Sequence, residues 1–348
     1  MITPYILNRE FETVRMLDDY ISFIWTDRFN KCGDFEIILP YDPNLFDYLK
    51  QNWYVVNPES EHTMIIESIY AKSEADGEDT VKISGRSLES ILDRRIAWGL
   101  EYHNKTVQDC IIDTITSNCI KSSASARNIK GLSTAWNYDE KLKSMKIETQ
   151  FTGDNIYELT TNLCSKYGIG FKLTMPTDGN FIFKLLTNED RSYNQTKNPV
   201  VIFSPAFENL LNANSYESNQ DYKTVALVGG EGEGNDRWYK SNDWTGDTGL
   251  DRRELFVDAR DLRTKVRDPG SKTERTLSSS EYYSTLNTRG DRELAKHQVT
   301  TIFDGEIVQV EDKYRRMFTA MITEYIYSYT DSAIKCYPTF EVINKEVK

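Results

Sequence analysis

The heptad Met64-Ile65-Ile66-Glu67-Ser68-Ile69-Tyr70 returns near the other end of the chain as Met321-Ile322-Thr323-Glu324-Tyr325-Ile326-Tyr327, with five of the seven positions identical. Each copy is predicted to open a strand, a turn and a second strand. The first turns at Asp76-Gly77 and returns through Thr80 to Ser84; the second turns near Thr330-Asp331-Ser332 and returns through Ile334 to Val342. We interpret the echo as a duplicated β module. The alternative is coincidence, because Ile, Tyr and Glu alternate in many half-buried strands.

A duplicated β module has an architectural use. Two similar units in one chain let three chains present six similar units around a ring. The pattern therefore indicates a structural device and not a catalytic one.

The composition indicates a folded, β-rich protein of several domains. At 348 residues the chain exceeds the size of one hydrophobic core, so about two or three domains are expected. Hydrophobic residues make up 39% and charged residues 28%, while Tyr (21) and Phe (15) are abundant. Such residues suit half-buried sheets.

The charge and the hydropathy exclude several classes of protein. Asp and Glu number 54 against 42 Lys and Arg, so the net charge of −12 repels a phosphate backbone and argues against sequence-specific nucleic-acid binding. No apolar run approaches the roughly 18 residues of a membrane span, and the first ten residues lack a signal-peptide pattern. We predict no membrane segment and folding in a cytoplasm.

The five cysteines favour neither a disulfide framework nor a zinc ribbon. They are odd in number, dispersed and without a C-x-x-C pair. We predict that Cys32, Cys110, Cys119, Cys164 and Cys336 are small buried residues.

Residues 1–98 are predicted to form a first β-barrel. Strands are expected over residues 20–26, 34–39, 53–57, 62–72 and 80–84. Asp42-Pro43 would start a short helix burying Leu45, Phe46 and Leu49, because Asp caps free amides and Pro lacks the N–H that would be orphaned. Ser87 would cap a second helix that buries Leu88, Ile91 and Leu92.

Residues 99–198 are predicted to form an inserted α+β domain. A helix beginning at Thr106 places Val107, Cys110, Ile111, Thr114 and Ile115 on one face, and a second helix runs from Asp154 to Gly168. A hairpin over residues 169–186 turns at Pro176 to Gly179. The polar stretch over residues 187–198 is interpreted as the exit linker.

Residues 199–230 and 300–348 are predicted to form a second, discontinuous β-barrel. Strands are expected over residues 200–203, 206–218, 221–228 and 300–310, and the pattern then runs almost to the end. Residues 231–299 form the insertion, with a Gly/Asp-rich loop that leads to a strand over residues 254–257 and a helix over residues 280–297. The fold class is β-rich α+β, with two similar antiparallel barrels and inserted domains. Barrel closure would remove exposed strand edges.

A search for catalytic, cofactor and metal sites assigns no residues to any of them. The run Gly229 to Gly234 follows a strand, but it lacks a following Lys-Ser or Lys-Thr and carries two Glu residues that would repel phosphate. The acidic loop residues Asp236, Asp243, Asp247 and Asp251 offer oxygen ligands for calcium, but without EF-hand spacing, so a solvated loop is favoured.

Hydrolase signals are similarly weak. Gly85-Arg86-Ser87-Leu88-Glu89 lacks the final Gly of a nucleophile elbow, and Ser87 is better explained as a helix cap. His62, His103 and His297 form no close pair. The 54 acidic residues make any pair of carboxylates uninformative about glycoside cleavage.

Two groups of aromatic residues could stack on sugars or bases. Trp238, Tyr239 and Trp244 lie in the insertion, where contact with a neighbouring protein is a further use. Tyr325, Tyr327 and Tyr329 share one face of a strand, where core or subunit-interface packing is the commoner use.

Four stretches together resemble the siphophage tail-hub proteins, minor tail structural proteins related to the baseplate hubs of contractile phages and tailocins. They are residues 5–9 (YILNR), residues 23–37 around Phe23-Ile24-Trp25, residues 83–95 around Gly85-Arg86-Ser87, and residues 256–261 (FVDARD). The resemblance runs nearly end to end.

The resemblance implies a homotrimeric hub at the distal end of a phage tail or phage-tail-like particle. Two β-barrels per subunit would form a pseudo-sixfold ring between the hexameric tail tube, or a distal tail protein, and a spike or tip protein, with a tape-measure protein as a further candidate partner. Some hub relatives carry a C-terminal lysin or receptor-binding extension. The chain ends soon after its last strand, so such an activity is expected in a separate protein. The alternatives are a tail-tip receptor- or carbohydrate-binding protein and a tail-associated cell-wall hydrolase.

Overall fold

The chain folds into several β-sheets with a small helical component. The computed structural model describes residues 2–73, 79–175, 179–210, 214–216, 223–229, 239–243, 246–258, 287–289, 304–330 and 333–345, with residues 234 and 237. Two compact units are present: Met1–Asn214 with Thr288–Lys348, and Ser215–Asn287. Within the described part of the chain, no helix is both long and apolar enough to cross a bilayer.

The first hundred residues are mostly strand. Their elements are β1 Tyr5–Leu7, β2 Thr13–Met16, β3 Ser22–Arg28, β4 Asp34–Pro40, α1 Leu45–Tyr48, β5 Tyr54–Val56, β6 Thr63–Ile65, β7 Ser68–Lys72, β8 Thr80–Arg86 and a 3-10 helix Leu88–Arg94. The predicted strands are confirmed, except that the one over residues 62–72 is broken in two at Ile66 and Glu67.

Two sheets enclose the core of this region. One has the strand order β2-β1-β5-β6, and the other contains β3-β4-β8-β7. Alternate residues of β3, β4 and β8 point inward, so that Trp25, Ile37 and Ile83 are fully buried. The sheets meet where β6 continues towards β7 and Met64 bridges to Ser87. The strand pairings described here leave the sheets open, whereas the sequence predicted closed barrels.

Gly85 explains why the chain can change sheets at this corner. A Cβ atom added to Gly85 would lie 1.9 Å from the Ile65 carbonyl oxygen and 2.9 Å from the Glu67 amide nitrogen. Only a glycine lets the connection between β6 and β7 pass this close to β8.

Both short helices of this region differ in detail from the prediction. The first begins at Leu45 and has only one turn, and Asp42 does not cap it: its side chain accepts a hydrogen bond from the Asn44 amide in the preceding turn. Leu45 and Leu49 are buried as expected, but Phe46 is exposed. Ser87 precedes the second helix without capping it, since its hydroxyl oxygen accepts a hydrogen bond from the Gly33 amide instead.

The region after residue 99 is an α+β arrangement, as predicted. Its elements are β9 Leu100–Thr106, α2 Val107–Ile115, a π-helical turn Thr116–Ile120, a 3-10 turn Ser125–Arg127, β10 Leu132–Ala135, α3 Glu140–Ser144, β11 Lys146–Thr152, α4 Ile156–Tyr167, β12 Gly170–Thr174 and β13 Phe181–Leu186. The predicted start of this helix is confirmed, and Thr106 caps it, since its hydroxyl accepts from the Asp109 amide. Asn155 caps α4, one residue later than predicted, and Gly168 ends it in the left-handed conformation.

The later part of the chain contains β14 Ile202–Phe203, a 3-10 turn Pro205–Phe207, β15 Asn214–Tyr216, β16 Val225–Gly229, β17 Tyr239–Asp243, a 3-10 turn Gly249–Asp251, β18 Glu254–Asp258, β19 Asn287–Arg289, β20 Ile307–Glu311, β21 Met317–Thr330 and β22 Ala333–Lys345. In the smaller unit, β16 lies between β17 and β18.

Several predictions for this part were wrong. Residues 205–207 form a 3-10 turn, since the Ser204 hydroxyl accepts from the Phe207 amide, and not the start of a strand. The predicted Gly/Asp-rich loop contains β17, and the predicted helix over residues 280–297 contains the strand β19. The turns at Asp76-Gly77 and Asp331-Ser332, most of the run Gly229 to Gly234, and Trp238 and Trp244 lie outside the described residues.

The predicted linker over residues 187–198 is bound to the later sheet. The Arg191 amide donates to the Ile307 carbonyl at 2.7 Å, and the Ile307 amide donates to the Glu189 carbonyl at 2.8 Å. The Arg191 carbonyl in turn accepts from the Val201 amide. This segment is therefore hydrogen-bonded to β20 instead of being a solvated connection.

We expect Gly85→Ala to lower the free energy of unfolding by about 2–3 kcal/mol, the cost of forcing an extra methyl into a packed site. Chemical denaturation of the purified protein measures it. Ser84→Ala, one residue away on the same strand, is the control and should change stability by about 0.5 kcal/mol or less. Equal stability of Gly85→Ala and the wild type would show that β6 and β7 do not pass over Gly85.

Candidate assembly site at the junction of the two repeats

The two heptads lie in equivalent strand pairings. We call β5 to β8 the first repeat and β20 to β22 the second repeat. In the first repeat, β6 pairs with the preceding strand β5, and β7 pairs with the following strand β8. In the second, the start of β21 pairs with the preceding strand β20, and β21 pairs along its length with the following strand β22.

The correspondence extends to single residues. Met64 is paired with Val55 of the preceding strand, and Met321 is paired with Ile307 in the same way. The first heptad breaks at Ile66 and Glu67, and the register of β21 shifts between Ile322 and Glu324, at the same place in the heptad. The pairing pattern supports duplication over coincidence.

The second repeat joins directly the sheet that contains β3, β4, β8 and β7 of residues 1–98, which we call the first module. Residues Glu324 to Tyr329 of β21 pair antiparallel with Arg28 to Phe23 of β3, in six consecutive residue pairs. This places all of β14, β20, β21, β22, β3, β4, β8 and β7 in one eight-stranded sheet. The pairing of β21 with β3 is the repeat junction.

Arg28 forms ionic contacts at one end of the repeat junction. Its Nε donates to Oε1 of Glu324 at 2.6 Å, and its Nη1 donates to the Cys32 carbonyl at 3.1 Å and also contacts the Asp34 carboxylate. Burial would lower the pKa of Arg28, but the hydrogen bonds with Glu324 and Asp34 outweigh it and raise the pKa. The guanidinium therefore stays charged between two acids on two strands.

Aromatic side chains pack along the repeat junction. The Tyr329 ring lies edge-on to Tyr20 at 5.1 Å between centroids, and the Tyr327 hydroxyl donates to the Glu59 carbonyl at 3.2 Å. Tyr327 and Tyr329 pack on the core of the first module, and Tyr325 packs on a separate core beneath β20 and β21. Of the uses predicted for these tyrosines, packing within the chain is the one observed.

Phe29, immediately after β3, contacts three parts of the chain. Its amide donates to the Thr323 carbonyl at 3.2 Å, and its carbonyl accepts from the Phe171 amide at 3.0 Å. A Cβ added to Gly170 would lie 2.5 Å from its ring, and one added to Gly305 would lie 2.2 Å away. Two glycines thus make room for one buried phenyl ring where β3, the α+β region and the second repeat meet.

A buried ionic cluster near β3 was not predicted from the sequence. His62 and Glu89 are almost inaccessible, and His62 Nδ1 lies 3.4 Å from Glu89 Oε1. The same carboxylate oxygen accepts from the Leu173 amide at 2.8 Å. Next to Leu173, buried Lys172 pairs with Glu61 at 3.2 Å. The cluster joins the first module to β12 of the α+β region.

The electrostatics of the cluster favour the charged pair. Burial would raise the pKa of Glu89, but the charge of His62 and hydrogen bonds from Ser87 and the Leu173 amide outweigh it and lower the pKa. Burial would lower the pKa of His62, but the charge of Glu89 outweighs it and raises the pKa. Burial raises the pKa of neighbouring Asp27, whose carboxylate accepts from Ser60 and from the Trp25 indole.

Among the described residues, the side chains considered as catalytic or metal-binding candidates lie apart from one another. Ser87 is fully buried and bonded to the Gly33 amide, so it is not an exposed nucleophile. His103 contacts Thr114 and lies apart from His62 in the α+β region. Across the described ranges, no three His, Cys, Asp or Glu side chains are grouped so that they could hold a metal ion. Cys32, Cys110, Cys119 and Cys164 are buried and unbridged as predicted, and Cys336 is half-buried.

Comparison with known proteins identifies the family. Residues 3–329 match the family model described as "Siphovirus ReqiPepy6 Gp37-like protein". No curated protein matches the chain significantly.

Solved structures with this fold include phage tail proteins. The 43 kDa tail protein of prophage MuSo2 from Shewanella oneidensis matches with a TM-score of 0.61 and 15% identity over 99% of this chain and 98% of that one. Prophage tail protein gp18 from Listeria monocytogenes EGD-e matches with a TM-score of 0.60 and 13% identity, covering 99% and 95%. A chain of the Francisella PdpA-VgrG complex matches with a TM-score of 0.52 and 12% identity, covering 100% and 53%.

At the repeat junction, we expect Arg28 and Glu324 to show a coupling energy of about 1–2 kcal/mol in a double-mutant cycle of Arg28→Gln and Glu324→Gln, because the pair is half-buried and hydrogen-bonded. Urea denaturation of the four proteins measures it. The control is the more exposed pair Lys82 and Glu36 in the same sheet, for which about 0.5 kcal/mol or less is expected. Equal coupling energies in the two cycles would contradict a stronger ion pair between Arg28 and Glu324 at the repeat junction.

For the buried cluster, we expect the free energy of unfolding to fall at both alkaline and acidic pH. Since the folded pKa of His62 is raised above 6.5, its contribution is complete below that value and is lost as pH rises through the folded pKa. Since the folded pKa of Glu89 is below 4.5, its contribution is complete above that value and is lost as pH falls through the folded pKa. Denaturation midpoints measured from below pH 4.5 to well above pH 6.5 report both the acidic and the alkaline loss of stability.

The variant His62→Gln should lose about 3–5 kcal/mol at neutral pH, because it leaves a buried carboxylate without its charge partner. The double variant with Glu89→Gln should recover part of this loss and no longer show the alkaline decline. His103→Gln, another buried histidine, is the control and should keep that decline. A double variant whose stability depends on pH as in the wild type would refute the assignment of this dependence to His62 and Glu89.

Proposed function

We propose that this chain, which belongs to the family of Siphovirus ReqiPepy6 Gp37-like proteins, is a structural hub subunit at the distal end of a phage tail or phage-tail-like particle. In this role three copies form a ring with pseudo-sixfold symmetry. The ring joins the hexameric tail tube, or a distal tail protein, to a spike or tip protein.

The observation that carries the proposal is the repeat junction. Two β repeats with similar pairing are joined through β3 and β21, and β7 and β8 of the first repeat lie in one continuous sheet with the second repeat. A subunit with two similar repeats offers two similar surfaces, so a threefold ring offers six. A sixfold tube can then dock on a threefold hub with similar contacts at every position.

We also propose which segments of the chain form the ring and which contact other proteins. Residues 1–98 and the segments 199–230 and 300–348 serve as the two ring modules. The α+β region over residues 99–198 and the insertion over residues 231–299 differ from each other, which suits contacts with threefold partners. The fold match to a chain of the PdpA-VgrG complex fits a subunit that assembles with other proteins.

The proposed role is non-enzymatic and requires no cofactor. Two of the similar solved structures are named as tail proteins. The net charge of −12 suits a passage along which DNA slides without being trapped. The protein would be synthesised in the host cytoplasm and then reside at the tail tip.

We expect the purified chain to form trimers, with a mass of three times 40.3 kDa, in light scattering and mass photometry across a range of concentrations. Added tail-tube protein should bind one face of the trimer. A chain that stays monomeric or forms only dimers, with and without tube protein, would reject the ring. Clearing of peptidoglycan by the isolated chain would instead identify a cell-wall hydrolase.

A further inference from the structure

Large side chains are exposed at every second position around the start of β9, in the α+β region. Trp98 and Leu100 are each 69% accessible, and Tyr102 is 58% accessible. The alternate positions of β9 face inward, since His103 is buried and contacts Thr114 of α2. Leu100 and Tyr102 therefore point away from that helix. We call Trp98, Leu100 and Tyr102 the β9 strip.

The Trp98 indole is held in position although it is exposed. The Arg127 guanidinium lies over its ring, 5.0 Å from the centroid. Arg127 is itself anchored, because its Nη2 donates to the Ile96 carbonyl at 2.7 Å and to the Asn118 side-chain oxygen at 3.2 Å. The Trp98 amide donates to the same Asn118 oxygen at 3.0 Å. A fixed cation thus backs the indole, while most of the side chain stays in solvent.

The residue that organises this support lies in an unusual turn. Asn118 is buried in the π-helical turn Thr116–Ile120, a rare geometry that is frequent at functional sites. Its amide nitrogen donates to the Glu101 carboxylate and, at 2.9 Å, to the Thr114 carbonyl. One buried side chain therefore fixes both the backbone and the cation at Trp98. Such support orients the indole before any partner is present, which lowers the cost of binding one.

Polar side chains of β11 lie beside the strip. In the antiparallel pairing, Leu100 lies opposite Thr152 and Tyr102 lies opposite Gln150. Thr152 and Gln150 are exposed, and directly paired residues share a face of the sheet. The Tyr102 hydroxyl donates to the exposed Glu148 carboxylate at 2.7 Å. Hydrogen-bonding groups and apolar groups therefore lie side by side on this face.

We propose that the β9 strip binds a neutral oligosaccharide, an extended chain of β-linked hexopyranose units. The flat CH face of a pyranose ring stacks on an indole or phenol ring, and its hydroxyl groups bond to carboxylate, amide and hydroxyl side chains. Outward positions of a strand recur about every 7 Å, so neighbouring side chains of the strip contact successive sugar rings. The inference goes beyond the proposed function and does not depend on it.

Size and charge favour this occupant over a protein or a polyanion. A stable protein interface takes about 20–30 residues on each side, whereas the strip is one row of three large side chains with polar neighbours. The Glu148 carboxylate beside Tyr102, in a chain with a net charge of −12, repels phosphate and uronate groups. A neutral chain with apolar faces and many hydroxyl groups meets both constraints.

Isothermal titration calorimetry of the full chain with cellohexaose and chitohexaose tests the site. We expect at least one of the two to bind, and Trp98→Ala should weaken binding at least about tenfold, because a stacking face is lost. Trp98→Phe keeps an aromatic ring and should bind within about threefold of the wild type. The matched control is Trp136→Ala, which removes an exposed tryptophan that follows β10 in a different sheet, and it should bind like the wild type.

The neutral charge of the ligand is tested with salt and with heparin as a polyanionic probe. A neutral sugar releases no counterions on binding, so its affinity should change less than about twofold between about 50 and 200 mM salt. Heparin should not compete with the bound oligosaccharide. Competition by heparin that disappears at the higher salt would show an anion site and would overturn the inference.

Two further outcomes would also overturn it. One is the absence of binding by both oligosaccharides at millimolar concentration, and the other is equal binding by Trp98→Ala and the wild type. Circular dichroism and the melting temperature check that Trp98→Ala is folded. If it is not, Tyr102→Ala at the other end of the strip replaces it, with the same expected loss. Trimer formation is measured separately, so failure of the sugar site leaves the hub intact, and failure of the hub leaves the sugar site intact.

Discussion

The pairing of β21 with β3 is the constraint on which the rest of the structure depends. It joins residues almost three hundred positions apart, and it places β7 and β8 of the first repeat in one sheet with the whole second repeat. Such a contact yields its hydrogen bonds only after a long loop has closed, so we expect the sheet to be completed late in folding. Phe29 extends this dependence, because it touches Gly170 and Gly305 and needs both regions in place.

The buried ionic cluster adds positional specificity more than stability. Removing His62 and Glu89 from water costs several kcal/mol for each ion, and their attraction offsets this only when the geometry is right. The Leu173 amide completes that geometry from the α+β region. A displaced α+β region would leave Glu89 buried without one of its donors, so the cluster favours a single placement of β12 against the first module.

Local signals in the sequence predicted the elements, and nonlocal contacts decided where prediction failed. The cap at Thr106, the end of α4 at Gly168 and most strands follow from nearby residues. The Ser87 cap failed because a distant amide, Gly33, takes its hydroxyl oxygen. The long strand after His62 broke because Gly85 lies beneath it, and no pattern within the strand reports that neighbour. His62 follows Ser60-Glu61 and Glu89 lies between Leu88 and Ser90, so the local sequence carries no signal of their pairing.

The differences between the two repeats follow from what each must contact. The first heptad changes sheets over Gly85, and its next strand leads through Ser87 to Glu89 and the α+β region. The second runs through as one strand, because β22 supports its whole length. The proposed ring requires similar edges at each repeat, but it does not require similar faces. The heptad keeps the residues of the edge, and the substitutions Ile66 to Thr323 and Ser68 to Tyr325 lie where the local surroundings of the two copies diverge.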